Sequence, residues 1–285
     1  MYFMRPQGVS RSMLHWSLGT QSSGVLFWSL CAPGPTPRWR GPAGGKTLAM
    51  RRRTAGVASA DHLVPRLIAR AERHDPETVV RVLEPFVLPR RRERILEVLD
   101  LRLSSVAVML DSPYDPHNGA AVIRSCEAFG VQTIHVIERE RPFLAATSVA
   151  RGAEKWVDLE RHGDVASAVR ASRDFELVGT HPEGELLPED LAAIPRLMLV
   201  LGNERDGISS ELALACQRRV RVPMRGFVES LNVSVTAAIL LSSATRGRPG
   251  DLDAADRLRL YARGLYFTVD RARELLADRC TLQDP

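Results

Sequence analysis

Lysine is almost missing from this 285-residue chain, which carries it only at Lys46 and Lys155. All other basic residues but the histidines are arginine, a bias that a GC-rich genome alone produces, and the rarity singles out Lys155. Acidic residues are absent from the first 49 positions, where Arg5, Arg11, Arg38, Arg40 and Lys46 have no counter-charge. Taking those five from the 39 basic residues leaves 34 against 34 acidic ones over residues 50–285, so the net charge of +5 belongs to the N-terminal stretch. Global charge therefore gives no argument for a nucleic-acid partner; only local clusters of arginine can. No apolar run is long enough to span a bilayer, so no membrane partner is expected. The four cysteines, Cys31, Cys126, Cys216 and Cys280, include no CxxC pair, which excludes a cysteine-based zinc site or redox dithiol. Scattered thiols suit a reducing cytosol, and a cytoplasmic location is expected. There is no internal repeat and no GxGxxG, which argues against a nucleotide-binding Rossmann enzyme.

What is present divides the chain at Met50. Residues 1–49 are rich in Gly, Pro, Ser and Trp and have no amphipathic period. Gly24–Ala32, with Arg5 and Arg11 upstream, makes only a poor signal peptide. The stretch is expected to lie outside the fold, disordered or the product of a start codon placed too far upstream. Residues 50–103 read as a helical extension: Asp75-Pro76-Glu77 supplies a cap, a first-turn proline and an acidic first turn. Arg90 to Leu99 then sets an apolar stripe of Ile95, Val98 and Leu99 among arginines. From 104 to 249 short apolar runs alternate with helical stretches. Strands are expected at 106–110, 133–137, near Trp156-Val157, and at 176–180, 197–201 and 220–222. Helices are expected at 117–129, 165–172, 209–218 and 233–245. This pattern gives an α/β domain with a mostly parallel sheet covered by helices. Residues 250–285 read as a helical tail, helical from Leu252 to Ala277.

Three segments carry polar residues where open α/β sheets place ligands, at strand ends and helix starts. The first, Pro116-His117-Asn118, leads into a helix bearing Arg124. Alone, Asn118 reads more plainly as a helix cap and Arg124 as a solvated helix residue. In the second, the strand ending at Leu201 enters the loop Gly202-Asn-Glu204-Arg-Asp-Gly207, whose glycines let backbone approach a ligand. The third, Arg221 to Leu241, sets Ser230, Asn232 and Ser234 at the mouth of an apolar helix, where capping is the plainer reading.

In order, spacing and content the three segments together resemble the signature motifs of the SpoU/TrmH family of RNA ribose methyltransferases, over about residues 90–250. The likeness is greatest to the enzymes that methylate the 2'-hydroxyl of guanosine 18 in tRNA. The resemblance implies a sheet whose C-terminal part is threaded into a trefoil knot (the SPOUT fold), S-adenosylmethionine as cofactor, tRNA as partner, a homodimer, and no metal in the chemistry. It assigns catalysis to Arg124, Asn118, Glu204, Ser230 and Asn232, with Asn118 helping to position Arg124. It assigns the cofactor to Leu201, Gly202, Val222, Met224 and Leu231, and RNA contacts to Arg94, Arg102, His117, Lys155, Arg246 and Arg248. The same chemistry on 23S ribosomal RNA or the tRNA wobble ribose is the nearest alternative. A catalytically silent RNA-binding protein is another, against which the joint presence of Asn118, Arg124, Glu204 and Asn232 argues.

Overall fold

Six strands form one all-parallel sheet in the order β3-β2-β1-β5-β4-β6. The computed structural model describes residues 68–139, 143 and 147–280; the expectation for residues 1–49 lies outside these. The strands are β1 (Leu103–Asp111), β2 (Val131–Ile137), β3 (Asp158–His162), β4 (Glu176–Thr180), β5 (Leu197–Leu201) and β6 (Arg218–Val220). The central ones are buried on both faces, as parallel strands under helices must be. Along β1, Val106, Val108 and Leu110 join one core layer, and Ala107 and Met109 the other. The first layer is completed by α3 (Pro116–Ala128) and α6 (Val233–Ala244), through Val122, Ile123, Ala237, Leu240 and Leu241. The second is completed by α4 (Val165–Ala171) and α5 (Ser210–Ala215), through Val165, Ala168 and Leu212.

A third core joins chain segments far apart in sequence. Before β1 run α1 (Pro76–Leu83) and α2 (Pro89–Leu99); after α6 run α7 (Ala254–Thr268) and α8 (Ala272–Cys280). Val79, Leu83, Ile95 and Leu99 pack there on Leu260, Leu265 and Leu276. Asp75 caps α1 as its sequence predicts, accepting from the Thr78 N–H at 2.9 Å. The helical core is tied to the sheet by ion pairs: Arg259 and Arg263 on α7 both reach Asp158 and Glu72. Burial alone would raise the Asp158 carboxyl, but the two guanidiniums overcome it and hold the group below its ordinary value.

Several element boundaries differ from the sequence reading. The third strand is Asp158–His162 rather than Trp156-Val157, because a polar run can pair at the sheet edge. The helix expected over 209–218 covers only Ser210–Ala215, and β6 begins at Arg218 rather than Val220. The last helical region is broken at Arg271, whose φ of 62° cannot continue a helix. All sheet pairings are parallel, so "mostly parallel" becomes wholly so.

β1 lies between β2 and β5, so the chain leaves it toward opposite edges. A crevice at the C-terminal ends of these neighbours is the expected ligand position of such a sheet. β6 is held from two sides. β4 pairs with it from one side. From the other, residues 181–187 wrap it: Leu186 N–H donates to Arg219 O at 3.0 Å, and Arg221 N–H to Leu186 O at 3.0 Å. A Cβ on Gly184 would fall 2.5 Å from the Val220 carbonyl carbon, so glycine is what lets the two backbones pass.

Candidate functional site

The C-terminal ends of β1 and β5 and the start of α6 bring the three polar segments to one place. After β1, Asp115 caps α3 by accepting from the His117 N–H at 2.8 Å, and Pro116 occupies the first helical position. Asn118 is therefore not the cap but sits in the first turn, where its amide is free for longer-range bonds. Its Nδ2 donates to Glu204 Oε1 at 2.7 Å, and its Oδ1 accepts from Asn232 Nδ2 at 2.9 Å. Glu204 Oε2 accepts from the Tyr114 N–H at 3.1 Å. Asn232 caps α6, its Oδ1 accepting from the Ser234 N–H at 2.8 Å and the Ser234 hydroxyl at 2.6 Å. Each amide is thus fixed in one orientation by partners on both its atoms.

The loop after β5 is tight. A Cβ on Gly202 would lie 2.2 Å from the Gly207 carbonyl carbon, and Gly207 itself has φ of +71°. Asn203 and Gly207 exchange backbone bonds at 3.1 and 3.2 Å. Asn203 Oδ1 closes the turn by accepting from the Arg205 and Asp206 N–H groups at 2.9 and 2.7 Å. These bonds aim Glu204 at Asn118. Arg205 adds a cation–π contact, its guanidinium carbon 3.6 Å from the Tyr114 ring centroid. Beneath it, buried Asp111 at the end of β1 accepts from the Ser209 N–H and from Arg139 Nη2, both at 2.7 Å. Tyr114, Arg205, Asp111 and Arg139 were missed in sequence; the one available signal was a carboxylate ending a strand otherwise apolar over Val106–Leu110. Ser209, at the start of α5, makes no side-chain cap, its hydroxyl accepting instead from Arg139.

The expected cofactor residues line the adjacent turns. Leu201 is buried, while Gly202, Val222, Met224 and Leu231 are half-buried. Ser230 is exposed. Arg124 is also exposed and makes no hydrogen bond or ion pair among the described residues. It does not contact Asn118, whose partners are Glu204 and Asn232; six helical residues turn the two side chains about 120° apart. The expectation that Asn118 positions Arg124 is corrected accordingly.

The basic residues fall into two groups. Arg94, His117 and Arg246 are exposed, Arg94 pairing with Glu97 at 3.2 Å. Half-buried Lys155 sets its ammonium 5.7 Å from the Phe267 ring centroid. Arg102 and Arg248, by contrast, serve packing. Arg102 is 1% exposed, pairs with Glu127 at 3.1 Å, and burial lowers its pKa. Arg248 donates to the carbonyls of Ala244 at 2.7 Å, Pro195 at 3.0 Å, Leu191 at 3.2 Å and Ile194, and burial lowers its pKa too. With donors committed to protein acceptors, these two are not placed for RNA phosphates, which corrects their assignment as RNA contacts.

Residues 105–242 match the model of the SpoU rRNA Methylase family. The chain is 31% identical over 171 residues to the tRNA (guanosine(18)-2'-O)-methyltransferase of Aquifex aeolicus, covering 59% of this chain and 81% of that one. It is 34% identical over 166 residues to the enzyme of that name from Thermus thermophilus, covering 55% and 83%. The crystal structure of the A. aeolicus TrmH/SpoU tRNA modifying enzyme superposes with a TM-score of 0.57 at 28% identity, over 64% of this chain and 98% of that one.

Proposed function

This chain belongs to the SpoU methylase family, and from that premise we propose that it transfers a methyl group from S-adenosylmethionine to a ribose 2'-hydroxyl of RNA, with guanosine 18 of tRNA as the target. The observation that carries the reading is the bonded series Glu204–Asn118–Asn232, which joins the first turn of α3, the loop after β5 and the cap of α6. The choice of guanosine 18 is supported by the activity named for the A. aeolicus and T. thermophilus relatives.

The residues present fit the cofactor. Gly202 has no room for a side chain on one flank, and half-buried Val222, Met224 and Leu231 offer an aliphatic bed beside it. These would hold the adenosine, with Leu201 behind them; the cofactor supplies an electrophilic methyl on a sulfonium. A trefoil knot in the C-terminal part of the sheet belongs to the proposal as well, as the family likeness implies.

The ribose hydroxyl would lose its proton to solvent as its oxygen attacks, and the growing negative charge on that oxygen must be met. Arg124 is the group proposed to meet that charge. With five N–H donors and no acceptor, the Arg124 guanidinium would orient the hydroxyl and a nearby phosphate and stabilise the oxyanion. Asn118, Glu204 and Asn232 form the rigid floor on which the ribose rests, with exposed Ser230 as their polar neighbour. Arg94, His117, Lys155 and Arg246 contact the RNA. A homodimer belongs to the proposal, as exposed Phe227, Val228 and Val235 flank Ser230 and Asn232 in sequence. So does a cytoplasmic setting; no helix among the described residues is long and apolar enough to cross a membrane.

The test is ribose-methylation mapping by mass spectrometry in a deletion strain, beside transfer by the purified chain to tRNA with guanosine or its 2'-O-methyl form at position 18. Loss of that one mark, and no transfer to the blocked tRNA, is expected. A mark lost from ribosomal RNA or the wobble ribose instead would reassign the substrate.

A further inference from the structure

A cluster of potential metal ligands lies away from this site, on the outer pair of parallel strands. His135 on β2 stands in register with Glu160 on β3, and His162 follows two residues later on the same side of β3. His135 Nδ1 is 2.9 Å from His162 Nε2 and 3.4 Å from Glu160 Oε2. The potential ligand atoms of the three side chains all lie within 4.8 Å of one another. The site is graded in burial: His135 is buried, His162 half-buried and Glu160 exposed. It is therefore anchored in the sheet and open at the edge, because β3 ends the strand order.

We propose that His135, Glu160 and His162 bind a divalent transition-metal ion of the zinc class, which clasps the edge strand β3 to β2. Nδ1 of His135 carries at most one hydrogen, yet it faces both an imidazole nitrogen and a carboxylate oxygen. A single cation among the three serves all of them at once. Ligand atoms at about 2.05 Å from a tetrahedral zinc lie about 3.3 Å apart, and the two observed separations straddle that spacing. The two rings are 13° from parallel, and a turn of the outer His162 ring aims its lone pair at the shared point. Two imidazoles and one carboxylate select zinc, copper or nickel over magnesium and calcium, which take oxygen ligands. Three protein ligands leave one position for water on the solvent side.

The experiment uses the full chain, stripped with a chelator and dialysed, then titrated calorimetrically with zinc chloride, with magnesium chloride as control. One zinc per chain at micromolar affinity and no magnesium uptake are expected. His162→Ala and Glu160→Gln should each weaken binding at least tenfold, while His181→Ala, outside the cluster, should not. Zinc should raise the melting temperature of the native chain and leave that of His162→Ala unchanged. Both cluster variants alter edge residues, and circular dichroism in metal-free buffer checks that they fold; Glu160→Gln decides should His162→Ala unfold. No saturable zinc binding by the native chain overturns the proposal. So does zinc binding that His162→Ala and Glu160→Gln leave intact, which would place the ion elsewhere. None of these readouts depends on methyl transfer.

Discussion

Asn118 and Glu204 lie 86 residues apart in sequence and meet through a 2.7 Å hydrogen bond that closes the C-terminal mouth of the sheet. The bond is charge-assisted, and both partners make further bonds, so neither side chain can leave without freeing the other. Asn118→Ala and Glu204→Ala should each lower methyl transfer by about 10- to 100-fold, and the double variant by little more than either single one. Transfer rates for the four proteins give the coupling directly. Losses that multiply in the double variant would show that the two residues act independently.

Arg124 projects into solvent from the helix that Asn118 begins, without a partner among the described residues. A side chain with nothing to hold in the free protein is available for RNA. Arg124→Ala should reduce turnover by about 10²- to 10³-fold, the usual share of one group stabilising an oxyanion, with calorimetric cofactor affinity kept within about twofold. Near-normal turnover would remove Arg124 from the chemistry. A change confined to cofactor affinity would move it to the binding site.

Gly202 has no space for a methyl group, since its Cβ would stand 2.2 Å from the Gly207 carbonyl carbon. Gly202→Ala must push the loop open and with it the backbone proposed to hold the adenosine. The strain should cost about 1–3 kcal/mol, read as a cofactor dissociation constant raised roughly 10-fold or more. Cofactor binding equal to that of the native chain would take the loop out of the cofactor site.

The compositional break at Met50 motivates a truncation. Residues 50–285, expressed alone, should match the full chain in melting temperature and in transfer to tRNA. A large loss of either would show that the first 49 residues belong to the working protein.

The buried strands were legible because continuous apolar runs such as Leu197-Met-Leu-Val-Leu201 leave no other use for themselves. The edge was not. Asp158–His162 and Arg218–Val220 are strands by virtue of a neighbour and not of their own composition. At the site, the three converging segments could be named from their polar residues, but not the partners within them. Asn118 reads as a cap in sequence although Asp115-Pro116 carries the stronger cap signal, and its real bonds reach 86 and 114 residues away. The destination of an arginine is the least legible of all. Arg102 and Arg248 look like their exposed neighbours in sequence, yet their partners lie on segments that only folding brings near.

Arg246 and Arg248 stand two residues apart and should fail in different ways. Arg246 is exposed, whereas Arg248 donates to carbonyls of residues 191–195, the short helical turn and its exit packed under α6. Arg248 is a donor common to those carbonyls, only Leu191 O being seen to accept also from the Ile194 N–H, at 3.3 Å, and removing it leaves several of them short of a partner in a half-buried place. Arg248→Ala should therefore cost about 1–3 kcal/mol of stability, the range for unsatisfied buried polar groups. It should leave the salt dependence of tRNA binding unchanged under conditions where the variant is folded. Arg246→Ala should do the reverse. Its melting temperature should hold, its tRNA dissociation constant should rise, and the slope of log affinity against log salt should flatten by about one phosphate contact. Turnover at saturating tRNA should change little in the Arg246 variant, because the residue lies beyond the far end of α6 from Asn232. Thermal melts beside a salt titration of tRNA binding separate the two. A flattened salt slope in Arg248→Ala with unchanged melting would return that residue to the RNA surface, and would mean that its carbonyl bonds give way when RNA arrives.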